Sequence, residues 1–240
     1  MAKKSVLGMI LTVFVTFGVF AIPDEFKISL GVGSYSTYDS GDRAVFHNGD
    51  LVFGYQKPYA GVGGYLFLDA AFAELSFGYF SGIEKSYDVI YMLVNPSPVA
   101  GINSSYELTG IDIGIMGKLP FLISSSVLLY PLLGISYQAI LTLDTYYSRE
   151  VYEPSDFSAF WIKFGGGMDS FVSGNIFIRF GIIFGMRIPS KFDNDMADLI
   201  HDYITENFGS SHQYKRDSGI FATAMTVSGL ETKLAIGYRF

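Results

Sequence analysis

The chain has 240 residues, half of them hydrophobic, with 22 Phe, 17 Tyr and 27 Gly but only 16% charged residues, a low charged share for a water-facing surface. It has no cysteine and a formal net charge of −7. That excludes a disulfide framework, a thiolate metal site and a cysteine nucleophile, and it leaves no basic stripe to neutralise nucleic-acid phosphates.

The first segment, "MAKKSVLGMILTVFVTFGVFA", carries Lys3 and Lys4 ahead of an uncharged, mostly apolar run from Val6 to Phe20. Val19 and Ala21 stand at the −3 and −1 positions of a cleavage site. The expectation is a secretory signal peptide over residues 1–21. The run falls short of the roughly 20 apolar residues that a spanning helix needs, so a permanent helical anchor is the weaker alternative. Residues 22–240 then form one β-barrel domain.

Eight segments of alternating character follow. Lys27–Tyr35 sets Ile28, Leu30 and Val32 on one face, and the second segment covers about Val62–Leu68, with faces that the pattern does not assign. In the third, Ala71–Phe80, the residues Ala73, Leu75, Phe77 and Tyr79 oppose Glu74, Ser76 and Gly78. The fourth, Tyr106–Lys118, sets Ile111, Ile113 and Ile115 against Gly110, Asp112 and Gly114. Within Val127–Leu143, Leu133, Ile135 and Tyr137 oppose Gly134, Ser136 and Gln138. Phe157–Asp169 alternates Phe160, Ile162 and Phe164 with Trp161, Lys163, Gly165 and Gly167. Asn175–Arg187 alternates Ile176, Ile178, Phe180, Ile182 and Phe184 with Arg179, Gly181 and Gly185. The last segment ends at Phe240, with Leu234, Ile236, Tyr238 and Phe240 opposite Lys233, Gly237 and Arg239. Period two with aromatic and β-branched enrichment is a strand signal.

The connections alternate strictly. Short ones lie around Asp69–Ala70, at "LPFLISSS" and at "SFVSG"; long ones span Thr37–Gly61, Ser81–Ser105, Asp144–Asp156 and Ile188–Ser218. An even number of strands with short turns at one end and long loops at the other predicts an all-β fold, an eight-stranded antiparallel transmembrane barrel. A soluble barrel would place large apolar residues inside and polar ones outside. Here one face is aliphatic and aromatic while the other is Gly, Ser, Gln and charge. Lipid is the partner that the apolar face requires, and the short turns and both termini fall on the periplasmic side.

The chain therefore resembles the small outer-membrane barrels of diderm bacteria. A C-terminal aromatic preceded by alternating apolar residues (Leu234, Ile236, Tyr238, Phe240) is similar to the ending such proteins present to the barrel-assembly machinery. "LLYPLLGISY" (Leu128–Tyr137) and "GYRF" look like the OmpW and OmpX groups. The resemblance implies a bacterial outer-membrane location and, for an OmpW-like barrel, passage of small hydrophobic solutes. Inward Leu108, Met116, Leu132 and Phe177 leave such a route open. The competing reading is a structural or surface-interaction barrel whose loops, with Tyr146, Tyr147 and Tyr152 in the third, contact host or matrix molecules.

Catalysis finds no support in the sequence. A lipid-modifying hydrolase of this fold needs a His-x-Ser pair with a carboxylate behind the histidine. His47, His201 and His212 all fall in long connections, and none has Ser two residues later. "FGGGMDS" lacks the Gly-Lys-Ser/Thr ending of a phosphate loop. "DNDMAD" (Asp193–Asp198) lacks the central Gly of a calcium loop and has Ile204 at its twelfth position. Met196, Leu199, Ile200, Tyr203 and Ile204 instead recur at helical spacing, predicting an amphipathic helix in the last loop. No cofactor or metal is expected.

Charges on the inward face form the candidate site: Glu74, Asp112, Lys163, Arg179, Glu231 and Lys233, with Lys27, Lys118, Arg187 and Arg239 on the same row pattern. Lipid-facing Arg or Lys costs about 2–4 kcal/mol at midplane, so these groups are expected to pair across the lumen. They would serve either as a selectivity lining or as a satisfied polar plug.

Overall fold

The computed structural model describes residues 27–47, 50–56, 58–70, 72–87, 103–145, 152–191, 221–223 and 227–240. The strands in chain order are β1 (Ile28–Asp39), β2 (Asp42–His47), β3 (Asp50–Gln56), β4 (Tyr59–Ala70), β5 (Ala73–Tyr87), β6 (Asn103–Lys118), β7 (Phe121–Ser124), β8 (Val127–Thr145), β9 (Ala159–Ser173), β10 (Ile176–Arg187), β11 (Phe221–Thr223) and β12 (Val227–Arg239). Eight of them close a ring in the order β1, β4, β5, β6, β8, β9, β10, β12 and back to β1, every pair antiparallel.

Closure depends on the C-terminal strand. β12 pairs with β1 from Ser29↔Arg239 to Asp39↔Gly229, and the Phe240 N–H donates to Ile28 O at 2.9 Å. Closure leaves the ring no edge strand, as a wall in lipid requires. Following cross-strand partners from Ser29 through Asp69, Glu74, Met116, Gly134, Lys163, Gly185 and Gly229 returns to β1 at Asp39, ten residues further along. That stagger over eight strands implies a tilt of roughly 40° and a backbone radius of about 8 Å. Such a ring has room for side chains and little else.

The alternation divides the wall into two faces. Outward, Leu30, Val62, Leu66, Leu75, Phe77, Ile113, Leu133, Phe160, Ile182 and Leu234 are all exposed, and they belong to a belt contributed by every barrel strand. Soluble monomers rarely expose an apolar surface of this extent. Inward lie charged, polar, glycine and aromatic residues. The pattern also settles β4, whose faces the sequence left open: Tyr59, Tyr65, Phe67 and Asp69 are buried in the lumen, while Val62, Leu66 and Leu68 face out.

Several boundaries differ from the sequence expectation. The first long connection is largely strand, a β2–β3 hairpin to which β11 adds. "LPFLISSS" is not a bare turn: it contains β7, which pairs with β8. The second segment is longer than expected, because the glycines Gly61, Gly63 and Gly64 hide its period without interrupting its ladder. Lys27 precedes β1 and is exposed, so it is not part of the lumen row. The expected signal peptide and the expected helix of the last loop lie outside the described residues.

Candidate functional site

The glycines and the large aromatics of the lumen are two halves of one arrangement. A Cβ at Gly31 would meet the Phe67 ring, at Gly63 the Tyr35 ring, at Gly82 the Tyr59 ring, at Gly167 the Tyr130 ring and at Gly237 the Phe177 ring. Trp161 lies across both Gly185 and Gly229. Each aromatic side chain occupies the space beside a glycine of another strand, which is how rings fit inside a wall of this radius. These glycines do not widen the lumen; they make room for rings that fill it.

Through this aromatic packing runs a chain of ion pairs. Arg179, on β10, sits near the short-turn end and is 2% exposed. Its Nε and Nη2 donate to the two carboxylate oxygens of Asp169 at 2.7 Å each, its Nη2 also to Asp69 Oδ2 at 2.6 Å, and its Nη1 to Glu74 Oε2 at 2.5 Å. The guanidinium carbon Cζ lies 4.2 Å from the Phe67 ring centroid and 5.2 Å from that of Phe177. The Lys118 ammonium also pairs with Asp69, and the Tyr130 hydroxyl donates to Asp169 Oδ1 at 2.8 Å. From Glu74 the chain continues to Lys233 at 4.0 Å, from Lys233 to Glu231 at 3.2 Å, from Glu231 to Lys163 at 2.9 Å and from Lys163 to Asp112 at 3.2 Å. Ser136 Oγ donates to Asp112 Oδ2 at 3.2 Å.

All six residues singled out from the sequence thus stand in one connected series: Arg179, Glu74, Lys233, Glu231, Lys163 and Asp112. Contributions come from five strands (β5, β6, β9, β10 and β12), so the series ties opposite walls together. Sequence reasoning missed Asp69 and Asp169, the two acids that complete the Arg179 cage. Asp169 continues the inward row of Trp161, Lys163, Gly165 and Gly167, and was legible there. Asp69 was hidden because it was assigned to a turn on a strand whose faces were unassigned.

Above this series, at the long-loop end, Tyr59, Phe80, Tyr106, Leu108 and Ile140 pack in the lumen beside a buried Glu84–Arg187 pair. A 3-10 turn, Pro154–Phe157, closes over them and buries Phe157 against Tyr106 at a centroid distance of 5.1 Å. Arg187 Nη2 donates to Phe157 O at 3.1 Å and pairs with Glu84 at 3.6 Å. The Ile140 N–H donates to Ser158 Oγ at 3.1 Å. Lys191, outside the wall, donates to Asp156 Oδ1 at 3.0 Å and holds that carboxyl below its usual range. At mid-lumen, a cavity of about 10 Å³ lies among Thr37, Gln138, Trp161, Lys163, Ile183 and Glu231, enough for about one water.

The other residues named from the sequence fall as follows. Leu234, Ile236, Tyr238 and Phe240 point outward on β12, with the Tyr238 and Phe240 rings 5.1 Å apart. Leu108, Met116, Leu132 and Phe177 are buried inward, where they pack rather than line an open passage. Arg239 stacks on Phe171 at 4.1 Å. His47 lies on β2; His201, His212 and the Asp193–Asp198 cluster lie outside the described residues. Among the described residues no cluster of His, Asp and Glu has the arrangement of a metal site.

The sequence matches no protein-family model and no curated protein. Among solved structures it is similar to the outer membrane protein OprG of Pseudomonas aeruginosa, with 11% identity over 90% of this chain and 96% of that one and a TM-score of 0.47. It is also similar to the N-terminal β-barrel domain of Pseudomonas aeruginosa OprF, with 10% identity over 90% and 100% and a TM-score of 0.36. A third is Ail, the attachment invasion locus protein of Yersinia pestis, solved with the heparin analogue sucrose octasulfate, with 12% identity over 90% and 99% and a TM-score of 0.33. By its own strand pairing and face pattern, the chain is a small eight-stranded β-barrel of the outer-membrane type.

Proposed function

We propose that the protein is an integral barrel of the bacterial outer membrane whose lumen is sealed to ions and whose activity resides at its long-loop end. The observation that carries this reading is the ion-pair series from Arg179 to Asp112, buried in the lumen of a barrel with an apolar exterior. The exterior requires lipid. A passing ion would have to displace ion pairs that are already formed, in a ring with little spare radius. The lumen charges are thus a plug rather than a selectivity lining. The outward C-terminal row, Leu234 to Phe240, is the segment we assign to the barrel-assembly machinery.

The finer reading is handling of small hydrophobic solutes, as the OmpW resemblance implies. It is supported by the aromatic and aliphatic cluster of Tyr59, Phe80, Tyr106, Leu108 and Ile140 beneath Phe157. Such a solute would enter from the loop end once the 3-10 turn moves and, with charge below it, leave sideways rather than straight through. The alternative is contact with host or matrix molecules through the loops; of the tyrosines named for it, Tyr152 packs against Tyr106 and Phe157 at centroid distances of 6.5 and 5.9 Å, and Tyr146 and Tyr147 lie outside the described residues. Neither reading makes the protein an enzyme.

Uptake of an apolar dye into vesicles with a lipopolysaccharide outer leaflet separates the two. The solute reading expects faster uptake with the protein than without it, and a further increase for Phe157→Ala. Equal uptake in all three preparations removes solute passage and leaves the surface-interaction role.

A further inference from the structure

The wall has a defect on its lipid-facing side, between β6 and β8 near the short turns. β6 pairs with β8 down to Lys118↔Leu132, and β7 resumes the same alignment at Phe121↔Leu129. Between them, Leu119 and Pro120 stand opposite Pro131 and Tyr130 without pairing to them, although Tyr130 and Pro131 keep their partners on β9. Proline explains the gap, since Pro120 and Pro131 have no N–H to give to a ladder. The result is a groove of about 400 Å³ lined by Phe72, Gly117, Leu119, Pro131 and Leu133, with Lys118 and Leu132 at its inner limit. That volume falls within the roughly 300–1,000 Å³ of small-molecule sites.

Three features shape the groove for a hydrocarbon chain. Gly117 faces outward without a side chain, leaving a notch beside Leu133. Phe72, in the β4–β5 turn, forms the end wall and is fixed there because its carbonyl accepts the Lys118 N–H at 2.9 Å. The one charge nearby, the Lys118 ammonium, is turned inward to Asp69 and presents nothing to the outside. The groove is continuous with the apolar belt, so what meets it is the membrane leaflet at the short-turn end.

We propose that this groove is a specific binding site for one acyl chain of a phospholipid from that leaflet, an ordered lipid distinct from the exchanging ones around the belt. This rests on the membrane reading above. Unpaired backbone in hydrocarbon is costly, and a lipid whose glycerol-ester region reaches the interface beside the gap would shield it while its chain fills the notch.

The test uses the full chain inserted in phosphatidylethanolamine and phosphatidylglycerol vesicles, then released and weighed by native mass spectrometry. Insertion alone tests the membrane reading; failure to insert would sink that reading without touching the groove's geometry. Among inserted proteins, wild type should retain one phospholipid. Gly117→Leu fills the notch, and its Cβ would meet only Leu133 O at 3.4 Å, so the barrel tolerates it. It should lower the retained fraction at least tenfold. Gly64→Leu, at an outward glycine on β4 away from the groove, should retain lipid like wild type. Equal retention in all three, retention in none, or a wild-type dimer that Gly117→Leu dissociates would each overturn the proposal.

Discussion

Arg179 and Asp169 are direct cross-strand partners on β10 and β9, and their side chains meet in a two-pronged pair with both contacts at 2.7 Å. The geometry is the strong form of ion pairing, in which a planar guanidinium matches a carboxylate. Because Asp69 and Glu74 close on the same guanidinium, one cation serves three acids. Arg179→Ala would leave Asp169 without a cation, Asp69 with Lys118 alone and Glu74 with Lys233 alone, and removing one partner of a buried pair costs about 3–5 kcal/mol. Urea unfolding in vesicles should show a clearly lowered midpoint. Arg179→Lys should recover only part of it, since an ammonium cannot reproduce the fork. A midpoint equal to wild type for Arg179→Ala would mean the cage is solvated and not structural.

Ring-over-glycine packing makes a sharper, local prediction. Gly229→Ala places a methyl against the Trp161 ring, whereas a Cβ at Gly181 meets the Lys233 Cβ at 3.5 Å and Gly166 O at 3.9 Å, both ordinary contacts. Overpacking of this kind costs about 1–3 kcal/mol, so Gly229→Ala should destabilise while Gly181→Ala should not. Trp161 is the chain's single tryptophan, and its emission reports both unfolding and any displacement of the ring. Equal stability of the two variants would contradict close packing at Trp161.

Why the face pattern was legible and the plug was not follows from these residues. Strands with β-branched or aromatic residues at every second position, such as Ile176 to Phe184, declare their lipid face by period alone. The lumen row has no such uniformity: Gly181 and Gly185 alternate with Arg179 and Ile183, and a string of glycines reads as empty space. That space is filled from adjacent strands, Gly185 by Trp161 of β9 and Gly31 by Phe67 of β4, and register is a long-range property that the period does not contain. The ion pairs were partly legible because lipid excludes charge from one face and so collects it on the other. Which acid meets which base depended on the ten-residue stagger of the closed ring.

The loop-end closure carries a pH dependence. Lys191 and the Glu153 N–H hold the Asp156 carboxyl below its usual range. A carboxyl depressed in the folded state stabilises it above the unfolded pKa and loses that contribution as pH falls through the folded value. The 3-10 turn should therefore loosen on acidification below the ordinary carboxylate range. Hydrogen exchange at the Ile140 amide, whose N–H donates to Ser158 Oγ, reads this directly once the rate is normalised to Asp156→Asn. An exchange ratio that stays flat with pH would remove Asp156 from the closure.

Conductance of the purified protein in planar bilayers tests the sealed lumen most directly. With the lumen filled from Phe177 and the Arg179 cage up through Lys163 and Glu231 to Trp161, wild type should show no stable current steps. The double variant Lys163→Ala/Glu231→Ala removes the two charges beside the 10 Å³ cavity without leaving that pair half broken, and should admit small, brief steps. Large, long-lived steps from the wild-type protein would contradict the plug and recast the ion-pair series as the lining of a pore.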